Sequence, residues 1–204
     1  MPNSEPTWLF ATPLWTIRDL PVIQAALPRI ASSIERDLRN GVIDPCFNRS
    51  NFLGAQSQRR PLRHCPYLEL PEQQELIGKI ASIAPLAPKF LITTWVNCSW
   101  GGAHNSAHVH PGSELSGVLY VQVPEDSGVI VFRDPRPQCE MTQLGPKLGP
   151  TGHNLMPRHP VAPEAGTLLL FPSWLMHQVE PGNNESTPRI AISFNVIGLS
   201  EPGH

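Results

Sequence analysis

The chain has 204 residues, a length typical of one domain, and it carries a net charge of −2 with an isoelectric point of about 6.4. It contains no basic stripe, which argues against a nucleic-acid or other polyanionic partner. Because it shows neither a signal-peptide pattern nor an apolar run of membrane-spanning length, we expect a cytoplasmic protein without a membrane partner.

The proline and cysteine contents narrow the fold class. Proline accounts for 24 residues, about 12% of the chain, against an ordinary frequency of roughly 5%. This excess favours short strands joined by fixed turns over long helices. The cysteines form no C-x-x-C pair and no regular spacing, so they indicate neither a zinc knuckle nor a redox dithiol, and we expect reduced thiols. They are Cys46, Cys65, Cys98 and Cys139.

The N-terminal third is predicted to be mainly helical. Residues 8–17 are typical of a short strand, and the apolar residues of 20–39 then recur at helical spacing, with Gly41 as a C-cap. We expect Pro28 to kink or divide this helix, because proline removes one of its backbone hydrogen bonds. Residues 71–84 begin with proline and acidic side chains and predict a second helix.

From about residue 89 the pattern becomes that of β-strands. Residues 135–163 are rich in proline and glycine and predict a long loop that contains a short strand. Short antiparallel strands in such a series typically close as a sandwich or jelly roll. Turn residues separate five strand-like runs, which read KFLITTWVNCSW, LSGVLYVQV, GVIVFRD, GTLLLFPSW and PRIAISFNVIG.

The segment HNSAHVH holds three of the chain's eight histidines. His108 and His110 are two residues apart, so in an extended chain both rings point to one side and can chelate a metal. Imidazole suits Fe, Zn, Cu and Ni, and the third ligand would come from another strand. His177, in FPSWLMHQVEP, begins such a strand, whereas His104 is expected to be a solvated loop residue near the site. The remaining histidines are expected on the surface: His64, His153, His159 and His204.

Arg189 opens the last predicted strand, RIAISFN. Because side chains alternate along a strand, Arg189, Ala191 and Ser193 share one face, while the intervening apolar side chains form the other. An arginine on the inner face of a barrel is costly unless an anion pairs with it. Its planar fork matches a carboxylate, so the sequence predicts a carboxylate ligand at this position.

Four motifs, in this order and spacing, resemble the Fe(II)/2-oxoglutarate-dependent dioxygenase superfamily: HVHPGSELSGVLYV, GVIVFRDPR, GTLLLFPSWLMHQVEP and RIAISFN. The residue patterns of these motifs are similar to those of a bacterial and phage branch of these oxygenases. The resemblance covers about residues 88–198 and implies a mainly β fold, a double-stranded β-helix (jelly roll) with iron at its open mouth. We therefore expect a single domain over 1–204, in which a helical N-terminal region, 1–87, packs on the outside and supports the β-helix core, 88–198.

The resemblance also implies the cofactors Fe(II) and 2-oxoglutarate and a role for each motif residue. The metal ligands fall on His108, His110 and His177, the partner of the far 2-oxoglutarate carboxylate on Arg189, and an assisting serine on Ser193. The superfamily commonly has aspartate at the second position, which gives two histidines and one carboxylate. A third imidazole here removes one negative charge, and Glu114 is the alternative third ligand.

Two further residues are candidates for the cosubstrate site. Asn97 and Trp95 share one face of a strand. Asn97 either reaches the cosubstrate or substrate or has a structural role. Trp95 is either a core residue or a residue of the site. Tyr120, on the strand after the histidine pair, either donates its hydroxyl to a carboxylate or packs in the core. Arg136, in RDPRP, is expected to be a solvated turn residue, with binding of an anionic substrate at the rim as its alternative role.

The function that this resemblance implies is an Fe(II)/2-oxoglutarate-dependent dioxygenase, a hydroxylase acting on an unidentified small-molecule or peptide substrate. Two alternatives remain open. One is a cupin-like three-histidine metalloenzyme that does not use 2-oxoglutarate and would not need Arg189. The other is a non-enzymatic jelly-roll binding module. The sequence does not fix the oligomeric state, and a homodimer is compatible with it.

Overall fold

The computed structural model describes residues 10–44, 51–83, 89–136 and 157–199. These residues form two α-helices, α1 (Pro21–Arg39) and α2 (Leu70–Ile83), a short 3-10 helix (Leu62–His64) and twelve strands. The strands are β1 (Trp15–Ile17), β2 (Asn51–Phe52), β3 (Ala55–Gln56), β4 (Arg60–Pro61), β5 (Phe90–Ser99), β6 (His104–His108), β7 (Leu115–Gln122), β8 (Ile130–Arg133), β9 (Arg158–Val161), β10 (Leu168–Pro172), β11 (His177–Val179) and β12 (Arg189–Gly198).

The strands form two antiparallel sheets that pack face to face. The larger has seven strands in the order β1-β10-β7-β12-β5-β3, with β4 also paired to β5, and the smaller has five in the order β2-β6-β11-β8-β9. Apolar side chains from both inner faces meet between the sheets, as in other two-sheet β proteins. This confirms the predicted double-stranded β-helix. The cluster comprises Val118, Tyr120, Ile130, Phe132, Leu169, Phe171, Leu175 and Ala191.

The outer face of the larger sheet packs against the two helices, as predicted. α1 buries one apolar stripe and α2 another, and both join the outward side chains of β5, β7, β10 and β12 in a second core. The helical side chains at its centre are Ile23, Ile30, Ile34, Leu76 and Ile80. In the part of the chain that the structure describes, none of the helices is long and apolar enough to cross a membrane.

Strand β12 contributes to both cores because its side chains alternate. Ile190, Ile192 and Phe194 enter the core under the helices, whereas Arg189 and Ala191 face the space between the sheets. The neighbours of β12 are β5 and β7, which give the larger sheet its central strands. As a central strand of the larger sheet, β12 thereby directs Arg189 and Ser193 into the space between the sheets.

Two local predictions differ from the structure. α1 runs as one helix through Pro28 instead of dividing there. A mid-helix proline costs about 3 kcal/mol, but Ile23 and Ile30, on either side of it, are fully buried and contribute about 1.5–3 kcal/mol each. Tertiary burial therefore outweighs the local preference. The second difference is of one residue: the C-cap of the helix is Asn40, and the predicted Gly41 follows it at a φ of +69°.

The other expectations on cysteines and loops are met where the structure describes them. Cys65 and Cys98 are buried free thiols, while Cys46 and Cys139 lie outside the described residues. The short strand expected within 135–163 is β9, and residues 137–156 are likewise outside the described part.

Candidate active site

Three histidines converge at one end of the smaller sheet. His108 closes β6 and His177 opens β11, and the antiparallel register places these two residues directly opposite each other. His110 follows two residues after His108, where its backbone N–H donates to the carbonyl of Ser173 at 2.9 Å. One ring nitrogen from each histidine then lies within 4.8 Å of the other two. The structure therefore brings together all three predicted metal ligands.

Backbone contacts fix the orientation of two of the rings. Nδ1 of His108 lies 2.6 Å from the carbonyl oxygen of Ser106, and Nδ1 of His177 lies 2.9 Å from that of Leu175. A carbonyl can only accept, so each Nδ1 carries the proton and each Nε2 keeps its lone pair. Metal-ligating histidines commonly donate their other ring N–H to a backbone carbonyl in this way.

Burial keeps the three imidazoles neutral. Burial lowers the pKa of all three imidazoles, that of His177 to about 4 and that of His110 to about 3. For His110, the neighbouring His177 and His108 and the Arg59 guanidinium lower the pKa further. Neutral imidazole is the form that binds a metal, so the cluster is ready to ligate at neutral pH without releasing protons.

The donor set fits a transition-metal ion. Nitrogens bound to one metal at about 2.1 Å lie at most about 4.2 Å apart, so small ring rotations bring nitrogens separated by up to 4.8 Å to ligating distance. Three imidazoles suit Fe, Zn, Cu or Ni and leave other coordination positions open for further ligands. The cluster is therefore suited to hold a metal ion that keeps open coordination positions.

The histidines line a cavity of about 450 Å³ between the two sheets. This volume lies in the usual range for small-molecule sites. Every other residue predicted from the sequence to bind the cosubstrate also lines this cavity. The seven predicted residues that line it are Asn97, His108, His110, Tyr120, His177, Arg189 and Ser193.

Arg189 is a buried cation without a carboxylate partner among the described residues. It is 4% exposed. Its Nη1 donates to the carbonyl of Gly128 at 2.6 Å and its Nη2 to Ser99 Oγ at 3.3 Å, whereas its Nε has no hydrogen-bond partner in the described structure. Burial lowers its pKa, against a smaller opposing effect of Tyr120. An unpaired buried charge is costly, so this side chain fits an anionic ligand in the cavity.

Tyr120 lies beside Arg189 in the same cavity. It is buried on β7, opposite Ala191 of β12. Burial raises the pKa of its phenol to about 12, against the lowering effect of the Arg189 charge. The hydroxyl is therefore protonated at neutral pH and can donate a hydrogen bond to a carboxylate held by Arg189.

The two polar residues predicted with them bond to each other. The Asn97 amide donates to Ser193 Oγ at 2.9 Å and accepts from the Gln56 amide at 3.0 Å. The serine hydroxyl that touches Arg189 is that of Ser99, which lies directly opposite it in the β5–β12 register. Ser193 thus lines the cavity as part of an amide–hydroxyl chain, and Ser99 occupies the place beside the guanidinium.

Residues outside the cluster also have clear positions. Glu114 is exposed and does not line the cavity, so the third side chain in the cluster is His110. His104 lies on β6, not in a loop, and its half-buried ring stacks on Phe52 at 5.0 Å. Arg136 is exposed and pairs with Asp134 at 2.7 Å. His64 and His159 are exposed, as expected. His153 and His204 lie outside the described residues.

Sequence reasoning assigned no role to two residues of the site: Ser99, which contacts Arg189, and Arg59, which lines the cavity. Alternation along β5 places Ser99 on the same face as Asn97, which marked it as a candidate, but only the strand register shows that it lies directly opposite Arg189. Arg59 had no such signal, since it lies in a short, irregular segment before β4. Its guanidinium carbon lies 4.5 Å from the centre of the Trp95 ring at the cavity.

Comparison with known proteins agrees with this geometry. Residues 93–195, half of the chain, match the family model described as "Putative 2OG-Fe(II) oxygenase". The chain belongs to this oxygenase family. The family confirms the predicted enzyme class, an oxygenase that depends on Fe(II) and 2-oxoglutarate. No curated protein sequence matches the chain.

Solved structures show the same fold at low sequence identity. A prolyl-4-hydroxylase from Pseudomonas putida is 16% identical with a TM-score of 0.62, over 93% of this chain and 94% of that one. The α-ketoglutarate-dependent epimerase SnoN from nogalamycin biosynthesis is 14% identical with a TM-score of 0.62, over 92% and 77%. HygX from Streptomyces hygroscopicus, solved with nickel, 2-oxoglutarate and hygromycin B, is 15% identical with a TM-score of 0.57, over 92% and 83%.

Proposed function

We propose that this oxygenase is a hydroxylase in which His108, His110 and His177 bind Fe(II) and Arg189 binds the far carboxylate of 2-oxoglutarate. One observation carries the proposal. A buried guanidinium without a carboxylate partner among the described residues lines the same cavity as three converging neutral imidazoles. A metal centre alone would not need that guanidinium, whereas a dianionic cosubstrate does.

Each part of the cavity has a role in this proposal. When bound, Fe(II) and 2-oxoglutarate supply the oxidising chemistry, in which O2 converts the cosubstrate to succinate and CO2 and a substrate C–H bond is oxidised. The three imidazoles hold the metal from one side and leave its other side open. Arg189 orients the cosubstrate, and the Tyr120 hydroxyl donates to the same carboxylate. The apolar cluster between the sheets excludes water from this end.

The imidazole of His110 changes the charge of the site. An aspartate at this position would contribute one negative charge, which the neutral imidazole does not. The metal and Arg189 therefore attract the dianionic cosubstrate more strongly than they would beside a carboxylate ligand. We propose that tighter binding of the cosubstrate compensates for the absence of a carboxylate among the metal ligands.

The substrate class and cellular location are also proposals. Neighbouring structures include a prolyl-4-hydroxylase, an epimerase from nogalamycin biosynthesis and HygX with hygromycin B bound, which supports a small-molecule or peptide substrate. The buried free thiols of Cys65 and Cys98 support a reducing, cytoplasmic environment. A cupin-like enzyme that does not use 2-oxoglutarate would leave the buried Arg189 charge without a ligand, so the cavity favours the oxygenase.

The proposal is tested by replacing Arg189 with methionine, which keeps the volume of the stem and removes the charge. Calorimetry under nitrogen, with Mn(II) in place of iron, measures binding of 2-oxoglutarate. We expect Arg189→Met to weaken that binding at least a hundredfold, since one partner of a buried bidentate pair is lost, and to keep one metal per chain. Arg158→Met, on the exposed strand β9, is the matched control. Equal 2-oxoglutarate affinity in Arg189→Met and wild type would refute the proposal.

A further inference from the structure

A second arginine lies at the rim of the cavity and has no role in the proposed cosubstrate site. The Arg59 side chain is exposed, and its guanidinium carbon sits 4.5 Å from the centre of the Trp95 ring. The Trp95 ring centre is in turn 5.8 Å from that of His110. The guanidinium therefore lies no more than about 10 Å from the centre of the His110 ring, a distance that one small molecule can span.

Arg59 has no ion pair among the described residues. Other arginines of the protein contact a carboxylate, as Arg18 does with Glu164 and Arg29 with Glu72. The cation–π contact with Trp95 uses none of the guanidinium N–H groups, so these remain available for a bidentate contact. The ring also limits the rotation of the side chain, so less conformational entropy is lost when that edge binds a ligand.

The cavity as a whole is cationic. Its lining includes Arg59 and Arg189 and contains no aspartate or glutamate among the described residues. In the proposed complex the divalent metal and the dianionic cosubstrate cancel, and His110 contributes no negative charge. The positive charges of the two arginines therefore remain. Arg189 is assigned to the cosubstrate, whereas Arg59 lies at the rim, where its charge favours the binding of an anion.

We infer that Arg59, held against Trp95, binds an oxyanionic group of the substrate, a carboxylate or a phosphate, so that the enzyme acts on an anionic molecule. This inference rests on the proposed function. The oxyanion on Arg59 fixes one end of the substrate at the rim and leaves a carbon a few bonds away near the histidine cluster. The neutral side chain of Asn105, half-buried in the same lining, adds a polar group near it.

The test uses three small probes of similar shape: phenylacetate, phenyl phosphate and the neutral phenylacetamide. Full-length protein is loaded with Mn(II) and saturating 2-oxoglutarate under nitrogen, and the relaxation of probe protons by Mn(II) reports binding near the metal. We expect at least one anion to bind about tenfold more tightly than phenylacetamide, the effect of a charge-assisted hydrogen bond at an accessible site. The stronger of the two anions identifies the group as carboxylate or phosphate.

Three variants assign the preference to Arg59. Arg59→Met keeps the contact with Trp95 and should abolish the preference, whereas Arg59→Lys keeps the charge and should retain part of it. Arg60→Met removes the same charge from the next residue, whose side chain does not line the cavity, and should change nothing. Equal or undetectable binding of all probes to wild type, or an unchanged preference in Arg59→Met, overturns the inference. If wild type binds neither Mn(II) nor 2-oxoglutarate, the proposed function fails instead.

Discussion

Replacing His110 tests the metal centre most directly, because aspartate is the common residue at this position and Glu114 was the competing ligand. His110→Ala removes one of three converging ring nitrogens. Since loss of groups that merely orient metal ligands costs 10–100-fold in affinity, loss of a ligand should cost at least about 100-fold. His110→Asp should keep the metal, because a carboxylate can replace the imidazole in a facial site.

The loss of metal affinity can be measured as a change in thermal stability. At a metal concentration of about 1,000 times Kd, binding stabilises the wild type by about 4.1 kcal/mol, and a 100-fold weaker site leaves about 1.4 kcal/mol. For a chain of this size 1 kcal/mol shifts Tm by roughly 2–4 °C. Adding Mn(II) should therefore raise Tm by about 8–16 °C in the wild type and by about 3–6 °C in His110→Ala, measured by scanning calorimetry under nitrogen.

Glu114→Gln is the matched control for this experiment. Glu114 is exposed and lies outside the cavity lining, so its substitution should leave the Mn(II)-induced shift in Tm unchanged. The opposite pattern, a lost shift in Glu114→Gln and a full shift in His110→Ala, would show that the carboxylate ligates the metal. The reasoning from the structure would then be wrong.

Two further substitutions probe the cosubstrate end and the packing beneath it. Tyr120→Phe removes a buried hydroxyl donor beside Arg189 and should weaken 2-oxoglutarate binding about 3–10-fold by calorimetry, with the metal retained; unchanged affinity would exclude the hydroxyl from the site. Gly117→Ala would place a Cβ 2.7 Å from the Leu169 carbonyl oxygen and against the Phe194 ring, and it should destabilise the protein by about 1–3 kcal/mol in urea unfolding. Gly78→Ala, on α2 with open space around it, should instead be neutral or stabilising by up to about 1 kcal/mol, and a similar loss in both variants would contradict the packing argument.

The sequence alone determined the features that depend on local geometry. The spacing of His108 and His110 places both rings on one side of an extended segment, and alternation along β12 puts Arg189 and Ser193 on the face away from the helices. These regularities operate over two to ten residues, so they can be read without a structure. Together with the four family motifs, they identified seven residues that all line one cavity.

The tertiary structure decided which of those residues touch and which others join them. Ser99, not Ser193, contacts Arg189, across a sequence separation of 90 residues that only the β5–β12 register determines. Arg59 comes from an irregular segment without periodicity and reaches the cavity only because that segment packs over Trp95. Likewise α1 continues through Pro28 because its buried face gains more from tertiary packing than the proline costs locally. Strand register and packing depend on contacts between distant parts of the chain, and local sequence patterns do not determine such contacts.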